Sequence, residues 1–170
     1  LGGPAYGARA FASNFSKEAL QEMVVYAHVR GVKVYVTVNT LLLDHELDSV
    51  YHYLDFLYQA DVDGVIVHDI ALIAYLAQVY PDFPIIASTQ LNVHDVAGAK
   101  ALQQLGVFRV VLARETSLEM MKAIKQAVAI EIEVFCHGAL CVSYSGNCLL
   151  SSFIGKRSGN RGKCAQPCRL

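Results

Sequence analysis

The sequence contains no run of apolar residues long enough to cross a lipid bilayer, and its first residues do not form a signal peptide. Apolar residues nevertheless make up 54% of the 170 residues, which is enough to bury a sizeable core. These observations argue against a membrane partner and predict one globular domain in the cytoplasm. The chain also begins without Met, which suggests a piece cut from a longer protein.

Several familiar catalytic motifs are also missing. No GxGxxG segment follows a predicted strand, which disfavours a dinucleotide-binding fold. The sequence has no HExxH motif, no GxSxG nucleophile elbow and no ordered catalytic triad. A peptidase mechanism would therefore need a less usual set of groups, such as Cys141 with His137, or a metal-bound water assisted by Glu133.

Acidic residues are absent from the last part of the chain. Residues 1–133 hold all 15 acidic residues and nine basic ones, a net charge of −6, whereas residues 134–170 hold five basic residues, a net charge of +5. This asymmetry indicates either a solvated cationic surface or an anionic partner such as RNA. The candidate RNA-binding residues are the five cations of this segment: Lys156, Arg157, Arg161, Lys163 and Arg169.

The first 136 residues alternate between short runs rich in Val and Ile and amphipathic stretches. The predicted strands are Lys33–Val38, Gly64–Val67, Pro84–Ala87, Phe108–Leu112 and Ile130–Phe135. Their alternation with helical stretches predicts βα units and a parallel α/β sheet, either doubly wound or barrel-shaped. Five units, plus a loop from a sixth at Gly2–Phe15, favour an incomplete TIM-barrel-like (β/α) domain over residues 1–136.

Short polar residues before the amphipathic stretches are expected to cap helices. The expected capping residues are Ser16, Thr40, Asp44, Asp69, Thr116 and Ser117. The helix that Ser16 begins is predicted over residues 17–30, and Gly31 is expected to end it. Gly106 is expected to end a later helix in the same way.

Other polar residues lie where predicted strands end, which is where parallel α/β folds collect their binding groups. The candidate substrate-binding residues are Asn39, Gln90, Asn92, Arg114 and Glu115. Arg114 and Glu115 are about as well explained by a structural ion pair. The candidate catalytic residues are Glu133, His137 and Arg114, because a Glu–His pair four residues apart could transfer protons or orient a ligand.

Four of the five cysteines lie within the last thirty residues, in the pattern C-x6-C-x15-C-x3-C. Cys141, Cys148, Cys164 and Cys168 are predicted to bind metal, because a core-rich chain without an export signal is a poor candidate for a disulfide framework. Their spacing fits an iron–sulfur cluster and a zinc ion almost equally well. Residues 137–170 are thus expected to form a Cys-rich basic segment at the barrel mouth. Cys136, which ends an apolar strand, is expected to be buried.

The segment Glu133–Ser151, EVFCHGALCVSYSGNCLLS, closely resembles the signature of peptidase family U32, the collagenase-like family. Similar matches extend the resemblance over essentially the whole chain: Gly2–Arg9, Val67–Asp69, Ser88–Gln90, Leu112–Glu115 and Arg161–Arg169. The resemblance implies a TIM-barrel-like fold. It also implies that Cys141 and Cys148 are cluster ligands, whereas Cys164 and Cys168 match a pair of which some members use only one.

The resemblance implies three functions. Some family members support prephenate-dependent hydroxylation of a tRNA uridine or an rRNA cytidine, and others hold a [4Fe–4S] cluster on four cysteines in ubiquinone hydroxylation. By this resemblance the chain is expected to belong to an iron–sulfur enzyme that hydroxylates RNA with prephenate as cosubstrate. The first alternative is a collagenase-like peptidase acting on a peptide substrate, and the second is a non-catalytic partner subunit.

Overall fold

A parallel β-sheet forms the centre of the structure, a computed structural model that describes residues 1–138 and 140–169. Its strands are β1 (Tyr35–Val38), β2 (Gly64–Val67), β3 (Ile85–Ala87), β4 (Arg109–Val111) and β5 (Glu131–Glu133). Gly2 adds a further parallel bridge to Thr37, so the start of the chain lies beside β1. All five predicted strands are confirmed, four of them with bounds one to three residues shorter.

The order of the strands identifies the architecture. They lie side by side as β1-β2-β3-β4-β5, and each pairs in parallel with the next. A doubly wound sheet reverses its strand order at a switch point, whereas neighbouring strands of a TIM barrel follow one another in chain order. The TIM-barrel-like prediction is therefore confirmed, and the doubly wound alternative is wrong.

One helix precedes β1, a helix follows each of β1 to β4, and a short helix follows β5. They are α1 (Lys17–His28), α2 (Leu47–Gln59), α3 (Ile70–Val79), α4 (Val96–Gln104), α5 (Leu118–Ala127) and the short α6 (Leu150–Gly155). Within the described ranges, none of them is long and apolar enough to span a membrane. The core between sheet and helices is made by Val36, Val65 and Ile85 with Leu54 and Leu72, all of them buried.

The opposite, concave face of the sheet carries a different set of side chains. The pairing register places Thr37, Ile66, Ile86, Arg109 and Glu131 side by side in one row. Barrel interiors are mostly filled by branched apolar residues. Here the row ends in an ion pair instead, with Arg109 Nη2 2.6 Å from Glu131 Oε2, so the interior is partly polar.

Three of the expected capping residues are confirmed. The side chains of Ser16, Asp69 and Ser117 each accept a hydrogen bond from a backbone N–H in the first turn of their helix. Gly31 follows α1 with φ +68, although α1 ends two residues earlier than predicted, at His28. Gly106 likewise follows α4 with φ +83.

The other expectations about individual residues at these junctions are wrong. Asp44 begins a 3₁₀ turn over Asp44–Glu46 and does not cap α2. The Thr116 hydroxyl donates to Ala113 O at 2.7 Å, and Thr40 is buried without a capping hydrogen bond among the described residues. Cys136 is exposed, because it follows β5, which has a neighbouring strand on one side only among the described residues.

Candidate functional site

The segment after β5, residues 140–169, is called the tail here. It lies over the loops that follow β1, β3 and β4. Leu41 N–H donates to Asn160 O at 3.1 Å, and Arg114 donates to Ser145 Oγ through Nε at 3.1 Å and Nη2 at 3.0 Å. Gly146 has φ +77 and lies so close to Gln90 that a Cβ there would come within 2.8 Å of the Gln90 Cβ. The tail thus contacts the carboxyl ends of three strands.

One ion pair holds the tail to the barrel. Arg161 Nη2 lies 2.6 Å from Glu46 Oε1, Arg161 Nη1 lies 2.9 Å from Glu46 Oε2, and the same Nη1 donates to Leu41 O at 2.9 Å. The hydrogen bonds from Arg161 lower the pKa of Glu46 from 4.5 to about 2. Arg161, a predicted RNA-binding residue, therefore has its guanidinium engaged within the protein.

Three of the four predicted metal ligands line one cavity. Cys141, Cys148 and Cys164 surround a volume of about 580 Å³, called here the cysteine cavity, together with Arg9 and Arg114. No acidic side chain is among the described residues that line it. Cys168 lies in the 3₁₀ turn Pro167–Arg169, is exposed, and does not line this cavity.

Two sulfurs of the cysteine cavity accept backbone hydrogen bonds. Leu150 N–H donates to Cys148 Sγ, and Gln166 N–H donates to Cys164 Sγ, each at 3.4 Å. Backbone N–H groups that donate to cysteine sulfurs are a usual feature of the surroundings of metal-binding cysteines. Within the described part of the chain, no three His, Cys, Asp or Glu side chains approach closely enough to hold a single metal ion. Three free thiols line this one cavity, and thiolates are the ligand type that an iron–sulfur cluster requires.

A second cavity, called here the interior cavity, opens on the concave face of the sheet. It has a volume of about 520 Å³, and Thr37, Asn39, Ser88, Glu133 and Phe135 are among its lining residues. The two cavities share the residues Ala8, Arg9 and Ala12. The segment Ala8–Ala12 therefore forms a common wall between them.

The predicted substrate-binding residues are divided between structural contacts and the cavities. Asn39 is buried, with its Oδ1 accepting from Ala8 N–H at 2.9 Å, and Gln90 Nε2 donates to Asn39 O at 2.9 Å. Asn92 has φ +56, and its Oδ1 is buried without a partner among the described residues. Glu115 is exposed beside Tyr144, away from both cavities. Within the described ranges Arg114 and Glu115 form no ion pair, because Arg114 binds Ser145 instead.

The predicted catalytic residues do not form one cluster. Glu133 Oε2 lies 3.3 Å from Arg109 Nη1 and lines the interior cavity. His137 lines a separate, smaller depression with Arg114 and Phe135. No hydrogen bond joins Glu133 to His137 among the residues that the structure describes. Arg114 alone lines both that depression and the cysteine cavity.

The remaining predicted RNA-binding residues lie on the exposed side of the tail. The guanidinium of Arg157 stacks over the Phe11 ring at 4.6 Å, and its Nε donates to Lys163 O at 3.2 Å. Arg169 Nη2 donates to Leu140 O at 3.2 Å, and Lys156 ends α6 with φ +52. Phe153 is 82% exposed on α6. The tail thus carries exposed cations and an exposed aromatic ring.

Sequence reasoning missed three residues of this region. Arg9 lines both cavities, Glu46 anchors the tail, and Ser145 accepts both hydrogen bonds of Arg114. Only the resemblance of Gly2–Arg9 to a family motif pointed towards Arg9. Glu46 and Arg161 are 115 residues apart in the chain, so no local pattern could have paired them.

Comparisons with known proteins identify relatives of this chain. The protein-family sequence model described as peptidase family U32 matches residues 1–170. The 23S rRNA 5-hydroxycytidine C2501 synthase of Escherichia coli (strain K12) is 45% identical, over 100% of this chain and 25% of that protein. The tRNA hydroxylation protein P1 of Bacillus subtilis (strain 168) is 41% identical, over 99% of this chain and 40% of that protein. The chain thus spans less than half the length of these relatives.

The fold is also found in a solved structure of a U32 peptidase. That protein superposes with a TM-score of 0.66 at 22% sequence identity, and the match covers 78% of this chain and 57% of the other. This likeness supports the fold alone.

Proposed function

Because this chain belongs to peptidase family U32, we propose that it is part of an enzyme that hydroxylates a base of tRNA or rRNA, with an iron–sulfur cluster in the cysteine cavity. The observation that carries the proposal is that cavity, which three cysteines and two arginines line without a carboxylate among the described residues. Relatives named as rRNA and tRNA hydroxylation proteins, 45% and 41% identical, support RNA as the substrate.

The proposed ligands on this chain are Cys141, Cys148 and Cys164. A [4Fe–4S] cluster bound there would supply one-electron chemistry. The N–H donors to Cys148 and Cys164 would stabilise the thiolates and tune the potential. Zinc is the weaker candidate. A structural zinc site gathers four ligands about 2.0–2.3 Å from one ion, and no three such side chains of the described residues lie that close together. Cys168 is left out of the proposed set, since it lies outside the cavity.

Arg9 and Arg114 are proposed to hold an anionic cosubstrate such as prephenate beside the cluster. Both guanidinium groups line the cysteine cavity, and no described carboxylate there competes for them. Guanidinium groups bind carboxylates through paired, charge-assisted hydrogen bonds. Ser145 keeps Arg114 in place by accepting from two of its nitrogens.

The exposed side of the tail is proposed to bind the RNA. Lys156, Arg157, Lys163 and Arg169 supply charge for the phosphates, in a segment that carries no acidic residue. Exposed aromatic rings such as Phe153 stack on unpaired bases. Arg161 is left out of this surface, because it is paired with Glu46.

The test begins with anaerobic purification of the full-length protein and its Cys164→Ser and Cys168→Ser variants, followed by analysis of iron, sulfide and zinc. The wild type and Cys168→Ser should contain iron and sulfide, whereas Cys164→Ser should lose most of both. One zinc per chain without sulfide would overturn the cluster. Equal iron loss in both variants would return Cys168 to the ligand set.

The activity is tested in cells. A strain that lacks the protein should lose one hydroxylated base from its tRNA or rRNA, and the wild-type gene should restore it while the Cys164→Ser gene does not. An unchanged set of RNA modifications in the deletion strain would reject the proposed activity.

A peptidase remains the second candidate, because the family carries that name. The described residues offer it little support, since no hydrogen bond joins Cys141 or Glu133 to His137. Cleavage of gelatin by the metal-loaded, full-length protein would favour this candidate. A non-catalytic partner subunit, the third candidate, predicts hydroxylation only when a second protein is added.

A further inference from the structure

The interior cavity differs from the cysteine cavity in its charge. One cation, Arg9, and one carboxylate, Glu133, line the interior cavity, and the other described lining residues are neutral. The cysteine cavity has two arginines and no carboxylate. An anion is therefore favoured in the cysteine cavity, whereas the interior cavity suits a neutral ligand with hydrogen-bonding groups.

The interior cavity also has the shape and contents of a small-molecule site. Its volume of about 520 Å³ lies within the range of about 300–1,000 Å³ that is usual for such sites. The strand residues Thr37, Ile66 and Val111 line it, together with Glu133, which ends β5, and Asn39, which follows β1. The cavity is thus both apolar and polar.

Two of its side chains remain able to bind a ligand. Glu133 uses Oε2 for its 3.3 Å contact with Arg109, and its Oε1 has no protein partner within the described ranges. Carboxylates accept hydrogen bonds from base N–H groups, as Glu and Asp do from the amino group of cytosine. Phe135 is 59% exposed beside the cavity, and exposed aromatic rings stack on unpaired bases.

These features lead us to propose that the interior cavity binds a single flipped-out RNA base. Glu133 would accept a hydrogen bond from a base N–H, and Phe135 would stack on the base. A base inside a duplex or a stacked loop must leave its stack to enter such a pocket. This inference rests on the proposed RNA function, and it places the base against the Ala8–Ala12 wall, on the other side of which lies the cysteine cavity.

The wall itself is fixed at two points. Ala8 N–H donates to Asn39 Oδ1 at 2.9 Å, and Ala10 N–H donates to Gly162 O at 3.0 Å. Asn39 Nδ2 in turn lies 3.4 Å from Ser88 Oγ. Asn39 is thereby a positioning residue that holds the wall of the pocket.

The experiment measures the binding of stem-loop RNAs to the full-length protein, so that it does not depend on hydroxylation. A tRNA anticodon stem-loop and an rRNA hairpin are compared with versions in which one loop position at a time lacks its base. Removing the base at one position should weaken binding to the wild type about tenfold or more, because stacking of one base is strong. The same removal should have a smaller effect on Glu133→Gln, whose neutral amide oxygen accepts a weaker hydrogen bond than a carboxylate, and on Phe135→Leu, which lacks the stacking ring.

Matched control variants are Glu131→Gln and Phe108→Leu. Glu131 pairs with Arg109 as Glu133 does, but it does not line the interior cavity, and Phe108 lies next to β4 at its amino end. Both controls should keep the wild-type response to base removal. If removing a base changed RNA binding equally in the Glu133 and Glu131 variants, the proposed pocket would be wrong. It would also be wrong if no single base removal weakened the binding of RNA to the wild type.

A competition experiment identifies the ligand class. Cytidine or uridine should compete with RNA in the wild type and compete less well in Glu133→Gln, whereas citrate and inorganic phosphate should compete equally in both. Competition by citrate that is lost only in Glu133→Gln would overturn the base pocket in favour of an anion site. A deletion strain with unchanged RNA but intact nucleoside competition would reject the proposed activity and leave the pocket standing.

Discussion

Replacing Glu46 by Gln tests whether the ion pair with Arg161 holds the tail against the barrel. Gln keeps the size of the side chain and its hydrogen-bonding oxygen but removes the charge. The pKa of Glu46 falls from 4.5 to about 2 because Arg161 donates two hydrogen bonds to its carboxylate. A shift of that size corresponds to about 3 kcal/mol. Because 32% of the Arg161 side chain and 19% of the Glu46 side chain are exposed, solvent screening reduces the expected contribution to about 1–2 kcal/mol.

The pH dependence gives the sign of the effect. A carboxyl group whose pKa is lower in the folded state contributes its full stability above the unfolded-state value and loses it as the pH falls through the folded-state value. For Glu46 the contribution should be complete above a pH of about 5 and should disappear between 4.5 and about 2. The wild type and Glu46→Gln should therefore differ at neutral pH and converge in acid.

The measurement is the free energy of unfolding in urea at several pH values between 7 and 2, for the wild type, Glu46→Gln and the exposed control Glu22→Gln. Limited trypsin cleavage after Lys156 and Lys163 reports the local release of the tail and should be faster in Glu46→Gln. A difference between wild type and Glu46→Gln that stays constant down to pH 2 would refute the assignment to this ion pair. Equal trypsin rates would show that other contacts hold the tail.

Three further predictions concern other parts of the molecule. Tyr53→Phe removes a buried hydroxyl that has no partner among the described residues and should leave the urea unfolding free energy unchanged or raise it by up to about 1 kcal/mol. Burial lowers the pKa of His68, so the wild type should lose stability as the pH falls below about 6.5, and His68→Gln should lose less, in thermal unfolding at pH 7 and 5.5. Arg157→Gln should weaken the binding of all RNAs by a similar factor. It should also reduce the slope of the log binding constant against log salt concentration by about 1.

The sheet could be predicted from the sequence because each strand is a short run of Val and Ile bounded by turn residues. Where Ser16, Asp69 and Ser117 precede a helix, the capping chemistry is local, and it was predicted correctly. The prediction that Asp44 caps α2 is wrong, because a 3₁₀ turn begins at Asp44 and leads directly into α2 at Leu47. Local residue types do not distinguish these two ways of starting a helix.

The environment of single residues was harder to predict, because it depends on which strand has a neighbour. Cys136 follows an apolar strand, and such residues are usually buried, but β5 is the last strand of the sheet and Cys136 is exposed. The cysteine spacing predicted a shared site, and three of the four cysteines do line one cavity. Whether Cys168 joins them depends on the path of the tail, which the spacing does not specify.

Several protein contacts join the tail to the barrel. The Arg161–Glu46 pair, the Ala10–Gly162 hydrogen bond and the Arg114–Ser145 contacts all join the tail to loops of the barrel. These contacts place Cys141, Cys148 and Cys164 around one cavity. They therefore reduce the conformational entropy that the tail would lose when a metal binds there. The Ala10–Gly162 hydrogen bond also holds the Ala8–Ala12 wall. Because Gly162 follows Arg161, weakening the Arg161–Glu46 pair should disturb both cavities together. Suppose that Glu46→Gln lowered the iron content but left the free energy of unfolding in urea at neutral pH unchanged. That result would contradict this coupling, because the Arg161–Glu46 pair acts on the cavities only by attaching the tail to the barrel.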